Sequence, residues 1–213
     1  MKYIPTNFRK GKGMLASTVS KLGEVSFPTW TGLQIYMTPI RKGVPLPNQI
    51  QGYTDTVNQI LANVDTDEEM YLMIDEKFVK AGDYHRRPGK HVDGYWIPSM
   101  QMHGGGGPKH SPFPSPGRHS PGRHTGVGSM EGLLLASNTG DAMSYVGEYS
   151  RDFVKDWRGG DCSSIDTASL MPVYMEPNLV YAANVMTVHE SLPVKKDCFR
   201  SLVRINIPNW SNQ

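Results

Sequence analysis

Glycine and proline interrupt this chain too often for long helices. The sequence carries 22 glycines and 16 prolines in 213 residues, and both punctuate chains at turns rather than extend regular elements. One stretch escapes them. Within residues 53–64, Val57, Ile60, Leu61 and Val64 recur at i, i+3, i+4 and i+7, a single apolar stripe that predicts one helix. The acidic run 65–69 follows it. Elsewhere apolar residues come in short runs. Segments 32–37, 71–79, 132–137, 143–149, 170–174, 179–189 and 199–207 read as strands, the last ended by Pro208. Segment 149–157 reads as a second short helix, stopped by Gly159 and Gly160. Residues 1–30 read as extended and turn-rich.

The expected organisation is one domain over residues 1–213, long enough to bury a substantial core. Residues 1–69 form an N-terminal extension with the flanking helix. Residues 70–208 form a mainly β core with a long inserted loop at 102–128. That loop holds four consecutive glycines, Gly104 to Gly107, and two tandem copies of Ser-Pro-Gly-Arg-His, at 115–119 and 120–124. Nearly free of aliphatic residues, it cannot build a core. His103, His110, His119 and His124 lie in it without convergent spacing, so a second metal site is not read there. With Lys109, Arg118 and Arg123 they make it basic. It reads as a solvated tether, with a phosphate-bearing or acidic partner as the alternative.

A net charge of +2 is too small to imply nucleic-acid binding by itself. No apolar run approaches the roughly 20 residues of a membrane span, and the first residues lack the apolar core of a signal peptide. Cys162 and Cys198 form no metal motif and read as free thiols, which favours the cytoplasm. No Gly-x-Ser-x-Gly, Walker-type loop or dinucleotide fingerprint is present.

The chemistry-bearing residues are His91-Val92-Asp93, a distant His189 and arginines after it. On a strand, side chains alternate with period 2, so His91 and Asp93 share a face. A second imidazole can complete a three-ligand set. Two imidazoles and one carboxylate leave half an octahedral metal open, which suits non-haem Fe(II). An arginine supplies a rigid fork for a carboxylate. Arg200 and Arg204 both qualify and share strand parity. Two ligands upstream of the loop and one in the penultimate strand suit a rolled-up sheet, open at one end.

These motifs, residues 86–94, 188–194 and 200–206, resemble the Fe(II)/2-oxoglutarate-dependent dioxygenase superfamily, and its prolyl-hydroxylase-like members in particular. The resemblance spans roughly residues 70–208. It implies a double-stranded β-helix, or jelly roll, in which His91, Asp93 and His189 ligate Fe(II). It also implies that Arg200 or Arg204 grips the distal carboxylate of 2-oxoglutarate. His189-Glu190, followed by Pro193-Val194 and an arginine eleven positions after the histidine, narrowly favours Arg200. The implied reaction is oxidative decarboxylation of 2-oxoglutarate coupled to C–H hydroxylation. The substrate class stays open among protein side chains, nucleobases and small metabolites. Rival readings are a non-catalytic jelly-roll module of a larger assembly, and a cupin-like metal protein without 2-oxoglutarate. In the second, both arginines would face solvent.

Overall fold

The computed structural model describes residues 13–93, 131–154 and 160–208. The loop 102–128, its four histidines and Trp96 lie outside the described residues. The fold is mainly β, in two antiparallel sheets. The strands are β1 (Met14–Ser17), β2 (Val19–Glu24), β3 (Gln34–Ile40), β4 (Met70–Val79) and β5 (Glu131–Ser137), then β6 (Ala142–Ser150), β7 (Met171–Tyr174), β8 (Leu179–Asn184), β9 (Val188–Ser191) and β10 (Cys198–Pro208). A six-stranded sheet runs β2-β8-β5-β10-β4-β3. In the smaller sheet β6 is flanked by β1 and β7 and also pairs with β9. Among the described residues no helix is long and apolar enough to cross a membrane.

The helix forms where the apolar stripe predicts it, but it is shorter. A 3-10 turn, Asn48–Tyr53, leads into α1 (Thr54–Ile60). Val57, Ile60, Leu61 and Val64 are all buried. They pack with Leu72 and Ile74 of β4, Leu134 and Ala136 of β5, and Val203 and Ile205 of β10. This is the main core, and it covers one face of the large sheet. Residues of opposite parity point to the other face. Cross-strand register aligns Met73, Arg204, Leu135 and Tyr181 in one row, and Asp75, Leu202, Ser137 and Leu179 in the next. Directly paired residues project to the same side, so both rows face the second sheet. Being covered on both faces, β4 is buried along most of its length, which explains its unbroken apolar run.

Three expectations are corrected. Residues 14–24 are not merely extended: β1 joins the small sheet and β2 pairs with β8 of the large one. Their half-exposed, polar composition hides this. Segment 179–189 is not one strand. It breaks after Asn184, whose side-chain oxygen accepts from the Met186 amide at 2.9 Å. The chain then crosses to the small sheet as β9. Segment 149–157 yields only a 3-10 turn, Arg151–Phe153, among the described residues. Cys162 and Cys198 are free.

Glu76 ties the N-terminal third to the sheet. It is 2% exposed and accepts from the Thr31 and Leu33 amides at 2.9 and 2.7 Å and from the Tyr53 hydroxyl at 2.6 Å. Burial raises its pKa, but these donors outweigh burial and leave it below its ordinary value. Glu76→Ala strands the buried Tyr53 hydroxyl and leaves the part-buried Thr31 and Leu33 amides without their acceptor, and hydrogen bonds to charged groups are worth about 1.5–3 kcal/mol. The expected loss is about 2–4 kcal/mol by urea denaturation. A loss under about 0.5 kcal/mol would contradict this account.

Candidate metal centre

The two histidines meet through the backbone. The His91 amide donates to the His189 carbonyl, and the His189 amide to the His91 carbonyl, each at 2.9 Å. Residues that exchange both bonds in an antiparallel pair carry side chains on one face. The imidazole centroids lie 4.4 Å apart. Asp93, two residues beyond His91, returns to the same side. His91 sits in isolated bridges to His189 and Asp161 rather than in a regular strand. The period-2 argument holds nonetheless: one ligand atom from each of His91, Asp93 and His189 lies within 4.8 Å of the other two.

Each imidazole is oriented by a carbonyl. His91 Nδ1 lies 2.8 Å from the Gly89 oxygen, and His189 Nδ1 lies 2.9 Å from the Thr187 oxygen. A carbonyl only accepts, so both Nδ1 atoms carry a proton, and Nε2 is the atom that each ring can offer to a metal. This is the arrangement that fixes histidine as a metal ligand. Burial, reinforced by His189, pushes the His91 pKa down to about 3, against the opposing pull of Asp93. Burial also lowers His85, although Asp75 favours its charged form. Two imidazoles thus refuse protons that the unfolded chain would take up. Stability rises with pH wherever the unfolded state binds more protons. The metal-free protein is therefore expected to lose stability as pH falls below 6.5, the ordinary histidine value. Thermal midpoints between pH 7.5 and 5.5 check this, and a flat profile would refute it.

Asp93 bridges two neighbours. Its Oδ2 lies 3.6 Å from His189 Nε2, and its Oδ1 accepts from Arg204 Nη1 at 2.8 Å. Both Asp93 and Arg204 are buried. The three ligands open into a cavity of about 120 Å³ between the sheets, and Arg200 and Arg204 line it too.

The two arginines now part company. Arg204 pairs with Asp93. Arg200 is 2% exposed and is the largest fully buried side chain. Among the described residues it bonds the Ser137 hydroxyl and the Asp141 carbonyl, both at 3.3 Å, and no carboxylate among them forms an ion pair with it. Burial lowers its pKa despite the more distant Asp141. A buried cation with neutral partners, facing a cavity, is suited to an anionic ligand.

Comparison with family models, curated proteins and solved structures returned no match.

Other residues fall into place around the centre. Tyr181 lines the cavity and its hydroxyl accepts from the Glu176 amide. Tyr145 donates to Glu190. Tyr84 is 45% exposed and points away from a pocket role, and Asn184 serves the turn. Sequence reading missed Asp75, which binds Arg86 at 2.8 Å beside the buried His85. It also missed Met37, whose sulfur lies 3.8 Å from Arg204 Nη2. The run His85-Arg86-Arg87 just before the ligands was a signal for the first. Nothing local signals the second.

Proposed function

We propose that this chain is an Fe(II)- and 2-oxoglutarate-dependent oxygenase built on a double-stranded β-helix. The observation that carries the reading is the convergence of His91, Asp93 and His189 in one cavity with Arg200. The donor set suits the metal: two imidazoles with tethered Nδ1 protons, and one carboxylate. The strand order supports the jelly roll. Strands β8-β5-β10-β4 face β7-β6-β9, with the His91 segment bridged to the outer side of β9.

In this reading His91, Asp93 and His189 would hold Fe(II) where they line the cavity. Arg200 pairs with the remote carboxylate of 2-oxoglutarate. Met73, Leu135 and Leu202 wall the cavity and limit water. When bound, the metal and co-substrate supply the oxidising power for C–H hydroxylation through oxidative decarboxylation. Arg200 and Arg204 are 2% and 5% exposed, which weighs against a cupin-like protein with both arginines in solvent.

The test is anaerobic titration with Fe(II) and then 2-oxoglutarate, following the visible absorption band of a chelated keto acid. The band is expected in the wild type and absent in His91→Ala and His189→Ala. A folded wild type with no band would overturn the reading.

A further inference from the structure

We infer that Arg204 is a positioning residue for the metal ligand Asp93 and not a co-substrate anchor, and that Met37 braces it. This rests on the metal centre proposed above. Arg204 lies on β10 of the large sheet, Asp93 lies just beyond the His91 bridge to β9 of the small one, and the 2.8 Å contact from Nη1 to Oδ1 joins them across the interior. It occupies one carboxylate oxygen. The other, Oδ2, is the one turned toward His189 Nε2. A guanidinium bond to one carboxylate oxygen fixes the plane of the carboxylate and makes the second oxygen the better donor to a metal, so Asp93 would bind chiefly through Oδ2. That preserves the open coordination positions the chemistry needs.

The guanidinium is itself seated. Its Nη2 meets the Met37 sulfur at 3.8 Å. Met37 is 1% exposed and has φ +52°, a left-handed backbone conformation that is a genuine oddity for an unbranched residue inside a strand. It lies where the β3–β4 register shifts between Ile35 and Thr38. A bulge re-aims side chains beside sites, and here it sets Met37 with Tyr36, Tyr71 and Met73 in a compact buried cluster. Met73 is the cross-strand partner of Arg204. The arginine's apolar stem therefore has a fitted wall, and its head has one carboxylate to hold.

Charge and orientation can be separated. Removing the cation would also remove its repulsion toward a divalent metal, which confuses the sign. Arg204→Lys keeps the charge and loses the fork. Met37→Leu keeps both charges and nearly the same volume but removes the sulfur contact. The measurement is Co(II) binding to the metal-free protein, by calorimetry and by the visible Co(II) spectrum. Anaerobic 2-oxoglutarate binding to the Co(II)-loaded protein follows, with thermal midpoints recorded in parallel. Arg204→Lys is expected to weaken Co(II) binding about 10–100-fold, the usual effect of losing an outer-shell partner, and to change the Co(II) spectrum. Met37→Leu is expected to shift both in the same direction by less. At saturating Co(II), 2-oxoglutarate affinity stays within about threefold of wild type. Unchanged Co(II) affinity and spectrum in folded Arg204→Lys would overturn the inference while leaving the metal centre standing. So would a loss confined to 2-oxoglutarate binding. If Arg204→Lys fails to fold, an unchanged Met37→Leu protein overturns it. Wild-type protein whose Co(II) binding does not depend on His91 and His189 would overturn the metal centre itself.

Discussion

Arg200→Leu is expected to weaken 2-oxoglutarate binding by about thirtyfold or more while leaving the metal-free protein as stable as the wild type, or more so. The two halves come from one fact. Arg200 is buried, and its described partners are a hydroxyl and a carbonyl at 3.3 Å. Holding a cation in that position costs several kcal/mol of lost hydration, and two neutral contacts recover part of it. A carboxylate ligand would recover the rest. Truncating one member of a buried, hydrogen-bonded charge pair costs about 2–5 kcal/mol of binding, which is a factor of thirty to several thousand. Without ligand the substitution removes a desolvated charge and breaks no ion pair among the described residues. A smaller side chain leaves some unfilled space, and that limits the gain. Calorimetric titration of the Mn(II)-loaded protein and a urea curve measure the two halves. A variant that binds 2-oxoglutarate normally would remove Arg200 from the site. A variant that loses both binding and several kcal/mol of stability would mark it as structural.

Asp93→Ala has the opposite signature. It deletes a ligand and takes the carboxylate from Arg204, itself 5% exposed. Breaking a buried pair by removing one partner costs about 3–5 kcal/mol, because the remaining charge is uncompensated. Metal binding should vanish and stability should drop by about that amount. The double variant Asp93→Ala/Arg204→Met should regain most of the stability and none of the metal binding. Urea denaturation of the four proteins in the cycle gives the coupling directly. A coupling below about 0.5 kcal/mol would mean that the pair contributes little.

The meeting of His91, Asp93 and His189 was legible in the sequence because two short-range rules suffice for it. Alternation puts His91 and Asp93 on one side, and a histidine in a late strand can face them. The arginines were not separable that way. Residues 200 and 204 share parity and both reach the cavity. What distinguishes them is that Arg204 meets Asp93 while Arg200 meets a hydroxyl and a carbonyl, and that depends on where the segment bridged to β9 places Asp93. The helix was legible from Val57, Ile60, Leu61 and Val64, but its length was not. It ends at Ile60, and i to i+3 turns (Ala62 amide to Gln59 carbonyl, Val64 amide to Leu61 carbonyl) carry the stripe on to Val64, a change of winding that the stripe does not register. The corner after Asn184 carried a faint signal in the asparagine itself, a residue that bonds its own backbone two positions on. The apolar run around it masked that. Met37 was invisible, since no propensity assigns a methionine to a left-handed strand position.

The His91–His189 bridge also bears on how the protein keeps its shape. Two backbone hydrogen bonds at an isolated bridge hold His91 against β9, whereas β9 meets β6 along four consecutive residue pairs. The flanking residues belong to chain segments far apart in sequence. A metal bound by all three side chains would therefore act as a reversible cross-link, closing a loop of the chain much as a disulfide would, but one that chelators can open. Such a clasp ties resistance to heat and proteases to metal supply. Saturation at a hundred times Kd adds about 2.7 kcal/mol, and the thermal midpoint should climb with free metal concentration. Metal starvation would then be recorded as accelerated turnover of the chain.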